Sequence, residues 1–151
     1  MKRSASMEPV KQVLGKAEEQ RARELVDARR HLEAAEVKLR DLQHYRQDYM
    51  QAFEQRARAG QSVTALRDFQ VFLGRLEQAI QQQLQLVKAA KADVSGRTTR
   101  WKGAARQLKA VGSVMEHWRA DERRAEDRQE QKETDERAQH STARRNGSEA
   151  G

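Results

Sequence analysis

The chain contains no cysteine, so no disulfide framework and no thiolate chemistry is open to it. Proline occurs once, as Pro9, and beyond it no pyrrolidine ring interrupts a helix. Aromatic residues make up 5% and hydrophobic residues 36% of the 151 positions, while charged residues reach 35%. A compact globule of this length needs more apolar surface to offset chain entropy. No apolar run approaches the ~20 residues of a membrane-spanning helix, and residues 1–8 lack the apolar core of a secretion leader. The expectation is a soluble intracellular chain. The four histidines (His31, His44, His117 and His140) share no metal-binding spacing with one another. There is no phosphate-cradling glycine loop. Carboxylate pairs such as Glu18-Glu19 and Asp135-Glu136 read as solvated helix surface. No catalytic, cofactor-binding or metal-binding residue is expected, and the chain is not expected to be an enzyme.

What the chain does have is two heptad stripes. The first runs Leu25, Ala28, Leu32, Ala35, Leu39, Leu42, Arg46, Tyr49, Phe53. The second runs Leu66, Phe69, Leu73, Leu76, Ile80, Gln83, Val87, Ala90, Val94, Arg97, Trp101, Ala104, Leu108, Val111, Met115, Trp118. Alternating steps of three and four place an apolar seam along one side of a helix. Gly60 is the strong breaker between them, suited to the left-handed position after a helix, and Ser62 can cap the next one. The expected fold class is all-α: a long two-helix antiparallel coiled-coil hairpin with its turn at residues 59–62. Helix one is expected over residues 10–59, with Pro9 in its first turn, and helix two over 62–138. Residues 1–9 are expected to be flexible, and residues 139–151, which have no apolar face, to be a disordered tail.

Pairing across the turn predicts Phe53 near Leu66 and Leu39 near Ile80. In that register the start of helix one reaches only about Lys109. The remainder of helix two projects beyond it, with Trp118 left largely uncovered. Helix two also carries Gly74, Gly96, Gly103 and Gly112, each costing about 1 kcal/mol relative to alanine. The stretch Ser95-Gly96 with Thr98-Thr99 can be a bend, a point of twisting, or mere tolerance in a helix held by its partner.

Net charge is +7, and the excess is concentrated: residues 88–109 hold seven cations and one anion, Asp93. Such a face fits a solvated surface, nucleic acid, an anionic membrane surface or an acidic protein. Near the turn the apolar surface is too wide for one partner. Phe72, Leu76, Ala79 and Gln83 form a second stripe beside the seam, matched on helix one by Leu42, Tyr45 and Tyr49. A locally thick core or a dimer can account for it, as can a partner-binding patch that uses aromatic anchors.

The run Leu42-x-x-Tyr45-x-x-x-Tyr49, the Gly60 turn, and Leu66-x-x-Phe69-Gln70-x-Phe72-x-x-x-Leu76-Glu77-x-Ala79-Ile80-x-Gln82 resemble the flagellar export protein FliJ family. So do Trp101 with its basic neighbours and Glu126-x-Arg128-x-Glu130-Gln131-Lys132-x-x-Asp135-Glu136-x-Ala138. The resemblance implies an antiparallel coiled coil similar to a rotary-ATPase stalk. It would insert into the hexameric flagellar export ATPase, promote its assembly and activity, couple it to the export-gate membrane protein, and exchange export chaperones. By resemblance the gate-binding residues are Lys38, Leu42, Tyr45, Tyr49, Phe72, Leu76, Ala79 and Gln83. The family pattern commonly has Gln and His where Lys38 and Gln83 stand here. Contact with the ATPase ring falls to Val111, Met115 and Trp118. The resemblance implies no cofactor, small-molecule substrate or specific nucleic acid, and a cytoplasmic place peripheral to the inner-membrane export apparatus. Alternatives are the equivalent stalk of a type III injectisome, or a generic basic coiled-coil scaffold or nucleic-acid binder.

Overall fold

A computed structural model describes residues 2–149. It contains a short helix α1 (Arg3–Ser6) and two long helices, α2 (Glu8–Arg58) and α3 (Val63–Glu149). There is no strand among the described residues, and α2 and α3 pack against each other as a two-helix hairpin. Among the described residues no helix is long and apolar enough to cross a membrane.

The turn follows from local chemistry. Ala59 and Gly60 donate back to the carbonyls of Arg56 and Ala57, closing the last turn of α2. Gly60 then takes φ +91°, a left-handed conformation that side-chain-bearing residues avoid. The Ser62 hydroxyl accepts from the Ala65 amide at 3.2 Å, the N-cap geometry that starts α3. A Cβ at Gly60 meets no atom within 4 Å, so its restriction is purely conformational. Gly60→Ala is therefore expected to cost about 1–2 kcal/mol, read from urea unfolding, with unchanged helix content at 25 °C.

By contact the chain divides into two compact units, one formed by Glu18–Ala104 and the other by Met1–Ala17 with Ala105–Gly151. In the first, Leu25, Ala28, Leu76, Ile80, Gln83, Val87 and Ala90 are buried, and the rest of both stripes is half-buried there. Leu66 is the exception at 42% exposed. Phe53, expected near Leu66, stacks on Phe69 one turn further along α3, with ring centroids 3.6 Å apart. The aromatic pair buries a large area and adds a stacking interaction.

Several polar residues in the seam are partnered. Gln83 is buried and donates to the Ala35 carbonyl at 2.9 Å. Arg97 reaches across to Glu24 at 3.2 Å while also holding Asp93 at 3.2 Å, and Arg21 holds the same Glu24 carboxylate at 3.0 Å. Glu18 is half-buried and accepts from the Trp101 indole at 2.8 Å, so it is a seam partner rather than solvated surface. α3 runs unbroken through Ser95-Gly96, where Thr98 and Thr99 donate their hydroxyls back to the carbonyls of Val94 and Ser95.

In the second unit Arg3–Ser6 form α1, within the segment expected to be flexible. Met7 closes α1 and its carbonyl accepts from Lys11, so α2 begins at Glu8. Pro9 sits in the first turn, where its missing N–H leaves no helical bond unmade. Glu8 faces Arg119, Ser4 faces Glu122 and Lys2 faces Glu126. The start of the chain thus pairs with α3 as far as Glu126, well past Lys109. The further reach comes from residues 2–8, which lie ahead of the expected start of helix one and pair with α3 as well. α3 continues as helix to Glu149, where a tail without fixed structure is expected from residue 139. Residues 139–148 are exposed, and within them the Thr142 hydroxyl donates to the carbonyl of Ala138. Residues 1, 150 and 151, included in the flexible-terminus and tail expectations, lie outside the described residues.

Candidate partner-binding surfaces

Beside the turn, heptad positions of α2 and α3 bring five aromatic rings into one series. Phe53 stacks on Phe69, and Phe69 stacks on Tyr49 at 5.0 Å. Tyr49 meets Phe72 at 4.5 Å, and Tyr45 meets Phe72 edge-on at 6.0 Å and Tyr49 at 6.5 Å. The series is graded: its inner rings are half-buried, while Tyr45 is 52% exposed. Tyr49, Phe53, Phe69 and Asp68 also line a shallow groove of about 290 Å³.

The residues expected to bind the export gate divide on this geometry. Lys38 and Tyr45 are exposed, and Leu42, Tyr49, Phe72 and Ala79 are half-buried. Leu76 and Gln83 are inside the seam, at 6% and 4% exposure. Leu76 packs where one helix covers the other, and Gln83 spends its amide on Ala35. Phe53 and Phe69, absent from the expected set, belong to the aromatic series. Their heptad positions mark them only as seam, and their signal was the density of rings around them.

The second expected surface differs more. Met115 is the most buried large side chain, at 1% exposure. Val111 is half-buried. Trp118 is half-buried too, with the Arg3 guanidinium 5.0 Å from its ring centre, a cation–π contact. It is covered because α1 lies over this part of α3. Ser4 is itself buried, and its hydroxyl and amide donate to the two oxygens of Glu122 at 2.6 and 3.1 Å.

These contacts set the acid response. The Ser4 hydroxyl and then its backbone N–H hold the Glu122 carboxyl below the ordinary carboxylate range. Hydrogen bonds from Arg21 and then Gln20 do the same for Glu24. A carboxyl whose folded pKa is depressed stabilises the fold above its unfolded pKa, and that stability is lost as pH falls through the folded value. Melting temperature is therefore expected to fall as pH drops below about 4. The fall should be shallower in a Glu24→Gln/Glu122→Gln chain, which starts from a lower neutral-pH value.

No group of three or more His, Cys, Asp or Glu residues that could hold a metal occurs among the described residues. The fold is an all-α coiled-coil hairpin that carries a graded aromatic series beside its turn. The family described as Flagellar FliJ protein matches residues 2–147, and the chain belongs to that family. Its family places it as a component of flagellar, type III protein export. No curated protein and no solved structure matches the chain.

Proposed function

We propose that this chain is the non-enzymatic stalk and coupling factor of flagellar export. It inserts into the hexameric export ATPase, promotes ring assembly and hydrolysis, links the ATPase to the membrane export gate, and exchanges export chaperones. It acts in the cytoplasm, peripheral to the export apparatus. The observation that carries this reading is the graded aromatic series. Tyr45 stands half in solvent on a base of stacked rings, so a partner gains a large apolar anchor whose position is already held.

Gate binding then rests on Lys38, Leu42, Tyr45, Tyr49, Phe72 and Ala79. Leu76 and Gln83 support it from within the seam by holding the helices in register. On the second surface Val111 and Trp118 are the ring contacts, and Met115 is the packing beneath them.

The test is to purify the chain with the export ATPase of its own organism and to measure hydrolysis and ring formation with and without it. Stimulated hydrolysis and a stable complex are expected. Absence of both overturns the stalk reading.

A further inference from the structure

The lysines of α3 are not scattered. Lys88, Lys91 and Lys102 are separated by three and eleven residues, with Ser95 between at a further helical repeat. At ~100° per residue these positions fall on one narrow arc of a helix. All four are exposed, on a flank of α3 beside the seam formed by the buried Val87 and Ala90 and the half-buried Val94. None of the three lysines enters an ion pair among the described residues. The carboxylates lie on another flank: Glu24, Asp27 and Asp93 gather around Arg97. Asp93 is the only acid on α3 between residues 78 and 115, and it is spent on Arg97. In the sequence, Arg106 and Lys109 continue the lysine spacing.

We infer that the Lys88–Lys91–Lys102 row is a docking face for an anionic lipid surface, on which α3 lies without entering the bilayer. Three features favour lipid over nucleic acid. The cations are lysines, compact point charges, and not the forked guanidinium groups that grip single phosphates. No aromatic side chain stands in the row to stack a base. The row is straight, about 21 Å from Lys88 to Lys102 at ~1.5 Å per residue, so a flat charged plane meets every lysine at once. Leu84, 39% exposed and one turn before Lys88 on the same arc, adds a shallow apolar contact. Among the described residues no helix is long and apolar enough to cross a membrane, and the contact proposed is lateral and electrostatic. This inference stands independently of the stalk reading.

The experiment is co-sedimentation of the full chain with phosphatidylcholine vesicles, with and without phosphatidylglycerol. Binding is expected only with phosphatidylglycerol, and it should weaken as salt rises. Lys88→Glu/Lys91→Glu/Lys102→Glu should reduce the partition coefficient about a hundredfold or more, with helical circular dichroism unchanged because all three side chains are exposed. If that chain loses helix, the Lys→Gln triple is used and the same direction is expected. A charge-matched control, Lys132→Glu/Arg137→Glu/Arg144→Glu, should bind nearly as well as the parent. Four results each overturn the inference: no binding to the anionic vesicles, equal binding to neutral vesicles, equal loss in the control, or row-dependent binding to duplex DNA without vesicle binding.

Discussion

Leu76→Ala is expected to lower the free energy of unfolding by about 2–4 kcal/mol, whereas Tyr45→Ala, two turns of packing away, should cost about 1 kcal/mol or less. Both residues come from the same set expected to touch the export gate. Leu76 is 6% exposed, so truncating it leaves a cavity between α2 and α3. Tyr45 is 52% exposed and loses only edge contacts to Phe72 and Tyr49. In binding the order reverses. Tyr45→Ala should weaken association with the soluble part of the export gate at least tenfold, about 1.4 kcal/mol, while Leu76→Ala, measured where it is still folded, should bind nearly as the parent does. Urea unfolding followed by circular dichroism and a pull-down or calorimetric titration check the two halves. A Leu76→Ala chain of parental stability that fails to bind would make Leu76 a contact residue and the aromatic series its scaffold.

The hairpin itself was legible because a two-helix seam leaves its signature at every heptad. Nearly every stripe position is buried or half-buried, and Gly60 with Ser62 makes the turn their chemistry calls for. What the pattern could not carry was the choice of partner within the register. Phe53 lies close to successive seam positions of α3, so Leu66 and Phe69 look alike as its partners in the pattern. The choice belongs to ring stacking and to polar pairs such as Gln83 with Ala35, Arg97 with Glu24 and Ser4 with Glu122. These are specific, directional contacts with no periodic signal.

The same distinction explains the candidate sites. An apolar residue at a seam position and one on the adjoining stripe look equivalent in sequence, yet Leu76 is enclosed and Phe72 is half open. Gln83, which the sequence places both in the seam and on the adjoining stripe, is buried because a backbone carbonyl satisfies its amide. Length misled at the beginning of the chain. Residues 3–6 are too few to form a stable helix alone, and no local pattern announces α1. Its order comes from contacts more than a hundred residues away in sequence, at Trp118 and Glu122.

The second large effect concerns Met115. Its side chain is 1% exposed, against 42% for its neighbour Val114. Met115→Ala should cost about 2–5 kcal/mol, and Val114→Ala less than about 0.5 kcal/mol. The flexible thioether fills an irregular space that no alanine can reach, and a two-helix layer has few other side chains to collapse into it. The loss should be local in hydrogen exchange, with amides around residue 115 and in the first turns of α2 opening before those around the buried Ile80 and Val87. The functional consequence separates packing from contact. At a temperature where Met115→Ala is folded, ATPase stimulation should persist, because the side chain offers a partner almost no surface. Trp118→Ala removes a half-exposed ring and the seat of Arg3, and it should reduce stimulation while costing less stability than Met115→Ala. The opposite pattern, with stimulation lost in a stably folded Met115→Ala chain and kept in Trp118→Ala, would mean that α1 lifts from α3 when the partner binds and that Met115 is the surface it uncovers.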